Sequence, residues 1–176
     1  MSYTTIIAVW PGEKHEYVEE LGNSHGSGPY VWNQMCKKYY GTDDFCYRFN
    51  GTLDRLWPRW KDLSIPRHHR AVLMMTYDRA YIEKCDYLRA SRDIEAFLKD
   101  FDPHDNDVNH WPRISSFFAS NPEYPAIGFR MTSVSEDLFD GPWNEDEGRY
   151  GEPDWSEFFS IYRLLDKLEA PESTGK

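Results

Sequence analysis

Along the first third of the chain the apolar positions change rhythm several times. Residues 4–10, Thr-Thr-Ile-Ile-Ala-Val-Trp, form an unbroken β-branched and apolar run that Pro11-Gly12 stops. Such a run fits a strand buried on both faces, and therefore a central one. Residues 13–21 are dense in charge and predict a short helix, which leads into a glycine-rich loop over 22–28. Pro29 suits the first turn of a helix, where its missing N–H has no partner to lose. Val31, Trp32, Met35, Cys36 and Tyr39 then share a helical face, and Gly41 supplies a C-terminal stop.

Further on, Phe45, Tyr47 and Phe49 alternate with Cys46 and Arg48, the period of a half-buried strand, and Asn50-Gly51 turns the chain. Leu53, Leu56, Trp57, Trp60 and Leu63 return to helical spacing, with Pro58 either kinking that helix or starting a second one. Residues 71–77, Ala-Val-Leu-Met-Met-Thr-Tyr, read as a second buried strand. Asp86 is placed to cap a helix whose Tyr87, Ala90, Ile94, Phe97, Leu98 and Phe101 form one stripe. After a polar loop over 102–109, Pro112 opens a short helix with Ile114, Phe117 and Phe118 inward, closed by Asn121-Pro122. Residues 126–134 predict a third strand. Asp154-Trp-Ser-Glu157 is an Asp variant of the capping box, launching a last helix through Trp155, Phe158, Phe159, Tyr162, Leu165 and Leu168. Helical segments separate the strands, so the expected class is α+β (or α/β). The expectation is one compact domain over 1–169, with a mixed sheet of three to four strands, five or six helices, and a polar tail over 170–176.

Composition narrows what such a domain can do. With 176 residues and 40% apolar content the chain can bury one core. Thirty acids against twenty bases give a net charge of −10 and a pI near 5.0, which argues against a sequence-independent grip on nucleic-acid phosphates. No apolar run approaches the ~20 residues of a membrane span. The apolar run from Ile6 to Trp10 is too short for a signal peptide and has no basic leader. Cys36, Cys46 and Cys85 are an odd, widely spaced set without a C-x-x-C pair. A soluble cytoplasmic protein without a cofactor is the resulting expectation, and the sequence specifies no oligomeric state.

The charge is concentrated. Between residues 136 and 157 nine acids face one base, Arg149, while the rest of the chain carries 21 acids and 19 bases. Phe139, Trp143, Tyr150 and Trp155 interrupt those acids, unlike a solvated disordered run. This pattern suits a docking surface for a basic protein: aromatic anchors supply binding energy and carboxylates steer the encounter. Its candidate residues are Glu136, Asp137, Asp140, Trp143, Glu145, Asp146, Glu147 and Tyr150. An acidic or inhibitory binding protein, of the immunity or anti-defence kind, has these physical traits. The competing account is an acidic connection whose aromatics pin it to the core.

The alternative function is a small enzyme or a nucleotide- or phosphate-binding protein. Its residues are the loop amides at Gly26, Ser27 and Gly28, near the positive end of the helix at Pro29, with Asp78, His25 and His68 as candidate catalytic groups. Asp78 follows the apolar run 71–77, and in open α/β sheets ligands gather beyond the carboxyl ends of strands. The loop lacks the P-loop lysine and does not fit G-x-G-x-x-G. His25-Gly-Ser27 resembles one H-x-S element of the two-histidine phosphodiesterases, but the second copy that chemistry needs is absent. Asp105, Asp107 and Asn109 echo a calcium loop, yet His110 stands where glycine is needed and Ser116 where the bidentate acid belongs. No G-x-S-x-G elbow and no H-E-x-x-H pair occurs. Adjacent His68 and His69 are expected to point different ways, which leaves no metal-ligand set.

Overall fold

The structure, a computed structural model, describes residues 2–42, 55–101, 108–131, 139 and 141–171. The expected strand at 45–49, the turn at Asn50-Gly51 and most of the 102–109 loop lie outside these residues. So do His104, Asp105, Asp107, Glu136, Asp137 and Asp140.

Strand β1 (Tyr3–Trp10) is central, as its uninterrupted apolar run predicts, and residues 4–9 are all buried. Pro11-Gly12 turns the chain back, with Glu13 N–H donating to the Trp10 carbonyl at 2.9 Å and Gly12 at φ +85°. The return is β2 (Lys14–Gly22), antiparallel to β1 from Tyr3↔Gly22 to Trp10↔Lys14. The helix expected over 13–21 is thus a strand. The tight turn delivers the segment to an open β1 edge, and pairing with that edge outweighs a short helix that would have no core of its own. Its Lys14, Glu16, Glu19 and Glu20 also suit the outer strand of a sheet, where charge blocks further pairing.

Beyond β1, β3 (Ala80–Glu83) and β4 (Ala126–Arg130) add antiparallel, and β7 (Phe159–Ser160) pairs parallel with β3. The result is a mixed five-stranded sheet in the order β2-β1-β4-β3-β7. A separate two-stranded hairpin is made of β5 (Trp143–Asn144) and β6 (Arg149–Tyr150). The fold is α+β, with more strands than the three to four expected.

Five α-helices lie among the described residues: α1 (Gly28–Tyr40), α2 (Arg67–Met75), α3 (Tyr87–Asp100), α4 (Trp111–Ala119) and α5 (Ile161–Glu169). None is long and apolar enough to cross a membrane. Helix α1 has proline in its first turn and ends on Gly41 at φ +66°, whose N–H donates to the Lys37 carbonyl. Pro58 opens a 3-10 turn over Trp57–Lys61. The strand expected over 71–77 is not formed: residues 71–75 belong to α2, Thr76 caps it, and Tyr77 follows in the turn. Every residue of α2 from His69 to Met75 is buried, so the run is apolar all round, and such a run looks the same on a helix as on a strand. The last helix begins at Ile161, later than the capping-box reading places it. Asp154 instead caps the 3-10 turn Trp155–Glu157 by accepting from Ser156 N–H.

Alternation along β1 divides the interior. Ile6 and Ala8 face the helices, joined there by Val31 and Met35 of α1, by α2, and by Ile94, Phe97, Trp111, Phe118, Tyr162 and Leu165. Ile7 and Val9 face the other way, into a small cluster with Ala126 and Phe139, flanked by Tyr81, Trp155 and Phe158. Gly128 makes room for this cover, because a Cβ there would lie 2.7 Å from the Phe139 ring. Across the ends of the helices runs an ionic brace. Arg67 and Arg89 reach Asp166 at 2.7 and 2.6 Å, Arg70 pairs with Glu169, and Arg70 Nε donates to the Ile65 carbonyl at 3.1 Å.

Candidate functional site

The acidic segment divides by side-chain role. Phe139, Trp155 and Phe158 seal the back of the sheet, with ring centroids 5.1 Å apart for Phe139–Phe158 and 4.8 Å for Trp155–Phe158. Those aromatics are pins: Phe139 is buried, and Trp155 and Phe158 are half-buried against it. Trp143 and Tyr150 are not. They are cross-strand partners in the β5–β6 hairpin, 54% and 57% exposed, with ring centroids 5.1 Å apart and planes at 73°.

The hairpin is held from within. Asn144 Oδ1 accepts from Asp146 N–H at 3.1 Å and Glu147 N–H at 3.3 Å, and Gly148, at φ +62°, donates to the Asn144 carbonyl. At its base Gly141 N–H donates to the Gly151 carbonyl and Gly151 N–H to the Pro142 carbonyl, each at 2.9 Å. This geometry keeps Glu145, Asp146 and Glu147 exposed at the tip. The local base, Arg149, bonds Glu147 at 2.7 Å. Nearer the body Glu157 pairs with Arg79 at 2.6 Å, and Asp154 accepts from the Ser156 hydroxyl and N–H, which holds its carboxyl below the usual range. The structure therefore brings together Trp143, Glu145, Asp146, Glu147 and Tyr150. The sequence marked these residues through charge, but gave no reading of the hairpin that unites them.

The glycine loop is arranged for packing. Asn23 N–H donates to the Ser2 carbonyl, Gly26 N–H to the Asn23 carbonyl, Ser27 N–H to the Ser24 carbonyl, and His25 N–H to Asn23 Oδ1. These amides are already engaged and not directed at an anion. Gly26, Ser27 and Gly28 are buried. A Cβ on Gly26 would meet Val108 at 2.8 Å, and one on Gly28 would meet the Trp32 ring at 2.9 Å. From the other side, His110 N–H donates to the Gly26 carbonyl at 2.9 Å and the Trp111 indole to the Ser27 carbonyl at 3.0 Å. His25 lies exposed on the 3-10 turn Ser24–Gly26.

Asp78 sits in the turn between α2 and β3, ahead of the strand and not beyond a strand's carboxyl end. Its side chain is exposed on one side, yet neighbouring protein desolvates it enough to raise its carboxyl, against the opposing pull of Arg79. Arg79, at φ +62°, directs its guanidinium to Glu157.

A cluster that the sequence reading set aside forms around His68. Both His68 and His69 lie in the first turn of α2, and they do not diverge. His68 Nε2 is 2.8 Å and His69 Nε2 2.9 Å from the same Asp100 Oδ2, at the end of α3. His69 is wholly buried and approaches from beneath, flanked by Phe97 and Phe101, while half-buried His68 approaches from the rim. The Tyr39 hydroxyl is 2.6 Å from His69 Nδ1. Burial pushes the His69 imidazole down to about 4, so it is neutral at pH 7, and bonds from the two histidines hold Asp100 below the carboxylate range. The expectation that the two rings point apart fails because residues one apart on a helix differ by about 100° in azimuth, an angle that one carboxylate beside them can bridge.

Comparison of the chain with protein-family models, curated proteins and solved structures gives no match. The functional reading therefore rests on the geometry above.

Proposed function

We propose that this chain is a protein-binding module that docks a basic partner through the β5–β6 hairpin, in the manner of an acidic inhibitor or immunity-type protein. The observation that carries the reading is the pairing of two large aromatic rings, each more than half exposed, with three solvent-facing carboxylates on one internally braced turn. Large exposed aromatics supply the contact area that dominates interface energy, and a rim of one sign accelerates encounter with the opposite sign. The chain's net charge of −10 adds a long-range field of the same sign.

The test uses the wild-type chain, a Glu145→Lys/Asp146→Lys/Glu147→Lys variant and Trp143→Ala as baits in lysate of the native host. A basic protein held by the wild type, released by moderate salt and lost from both variants is the expected result. With that protein purified, the charge reversal should slow association about tenfold or more at low ionic strength. Equal capture by all three baits, or an unchanged association rate, overturns the reading.

A further inference from the structure

We propose that His68, His69 and Asp100 form a binding site for a divalent transition-metal ion of the zinc class, with a coordination position left open at the protein surface. The site is independent of the hairpin and lies between the start of α2 and the end of α3.

Three donor atoms converge there. His68 Nε2, His69 Nε2 and a carboxylate oxygen of Asp100 all lie within 4.8 Å of one another. A tetrahedral ion with bonds of about 2.0–2.2 Å needs its donors roughly 3.3–3.6 Å apart. The 2.8 and 2.9 Å nitrogen–oxygen separations must therefore widen by about half an ångström. His68 and Asp100 can provide that movement, since their side chains are 25% and 40% exposed. The same exposure gives an ion its route from solvent.

Donor chemistry agrees with the geometry. Two imidazole nitrogens and one carboxylate are a zinc-class set, and three protein ligands leave one position for water. Ligation turns the Nε2 lone pairs toward the ion, which places each ring's remaining proton on Nδ1. For His69 that proton meets Tyr39 Oη at 2.6 Å, and a phenol oxygen can accept such a proton as well as donate its own to an unprotonated Nδ1. Tyr39 is thereby a positioning residue, fixing the tautomer and the ring plane as outer-shell partners of metal-bound histidines do. Phe97 and Phe101, with centroids 5.4 and 4.8 Å from the His69 ring, hold that ring in place. A second converging trio among the described residues, Glu83, Cys85 and Asp86, differs: both Glu83 oxygens accept from Arg163, and Arg89 reaches Asp86.

The experiment titrates chelator-treated full-length protein with ZnCl2 by calorimetry, and separately with CoCl2 while recording visible absorption. Expected are one ion per chain, a Kd tighter than about 10 µM, and a four-coordinate Co(II) spectrum that Zn2+ abolishes. His68→Ala and Asp100→Ala should each weaken binding by about a hundredfold or more, and Tyr39→Phe by about tenfold. His68→Gln and Asp100→Asn repeat the test should either alanine variant lose its native circular dichroism. A Glu145→Ala/Asp146→Ala/Glu147→Ala variant should bind as the wild type does, which separates this site from the acidic hairpin. Wild type that binds no ion tighter than about 100 µM, or binding unchanged by the His68 and Asp100 substitutions, overturns the proposal and leaves the cluster as a hydrogen-bonded tie between α2 and α3.

Discussion

Ile6 and Ile7 are neighbours in β1 and are both fully buried, yet they meet different surroundings. Ile6 enters a layer built from all five helices, cross-braced where Arg67, Arg70 and Arg89 meet Asp166 and Glu169. Ile7 enters a cluster of four buried side chains, covered by aromatics of the acidic segment. The contrast explains why acids and aromatics are interleaved between residues 139 and 158. Phe139, Trp155 and Phe158 pack over the back of the sheet, while Glu145, Asp146, Glu147 and Glu152 between them are exposed and a second aromatic pair projects outward on the hairpin. One stretch of chain is thus both the cover of the sheet and the candidate binding surface.

The largest expected effect tests that contrast directly. Ile6→Ala should cost about 4 kcal/mol of unfolding free energy, near the upper end for such truncations, because a close-packed helical layer cannot collapse into the void. Ile7→Ala should cost about 2 kcal/mol, since the thin back cover can settle inward. Urea denaturation of both variants is the measurement. Equal losses would show the two faces of the sheet to be equally firm.

Next in size is Gly128→Ala. Its added methyl would lie 2.7 Å from the Phe139 ring and 3.1 Å from the Ala80 carbonyl. Displacing Phe139 should cost about 1–3 kcal/mol, the usual range for overpacking. It should also raise protease sensitivity in the 139–158 region ahead of global unfolding. Native-like resistance in that region would mean that Phe139 is not what holds the cover down.

Much of this architecture was legible from periodicity, and the exceptions share a cause. Helices α1, α3 and α4 each show one apolar stripe, and α1 and α4 a clear stop as well, so local sequence defines them. Helix α2 is buried all round and carries no stripe to distinguish helix from strand. Strand β2 is defined by the β1 edge it meets rather than by its own alternation, which a bulge between Ile6 and Ile7 interrupts. The same division holds for the sites. Charge and aromatics mark Trp143, Glu145, Asp146, Glu147 and Tyr150 without a structure. The approach of His68 and His69 to Asp100 spans more than thirty residues and exists only once α2 packs on α3, so no local spacing announces it.

A smaller effect comes from a half-buried carboxyl on the helical side. Asp93 accepts from the Tyr162 hydroxyl at 2.8 Å, and desolvation raises its carboxyl despite that bond and the nearby Arg67, Arg89 and His68. A folded-state pKa above the unfolded one means the native protein binds more protons in that window. The contribution is complete below the unfolded pKa, and it is lost as pH rises through the folded value. Asp93→Asn keeps an acceptor for Tyr162 and removes the titration. Its stability relative to wild type should therefore grow as pH rises from about 3.9 toward neutrality. Parallel curves for the two proteins would show that Asp93 titrates normally.

The smallest effect on stability should come from the largest change in charge. Glu145→Lys/Asp146→Lys/Glu147→Lys shifts the net charge by six, yet these side chains are exposed, and the bonds that shape the turn come from Asn144 Oδ1 and backbone amides. The one ion pair removed, Glu147 with Arg149, is exposed on both sides and of the kind that contributes little. Unfolding free energy should change by no more than about 0.5 kcal/mol. Tryptophan fluorescence should still report Trp143 packed edge-on against Tyr150. A loss above about 1 kcal/mol would mean that these carboxylates hold the fold together. They would then belong with the internally paired charges of the helical side, and a partner could not recruit them without weakening the protein that carries them.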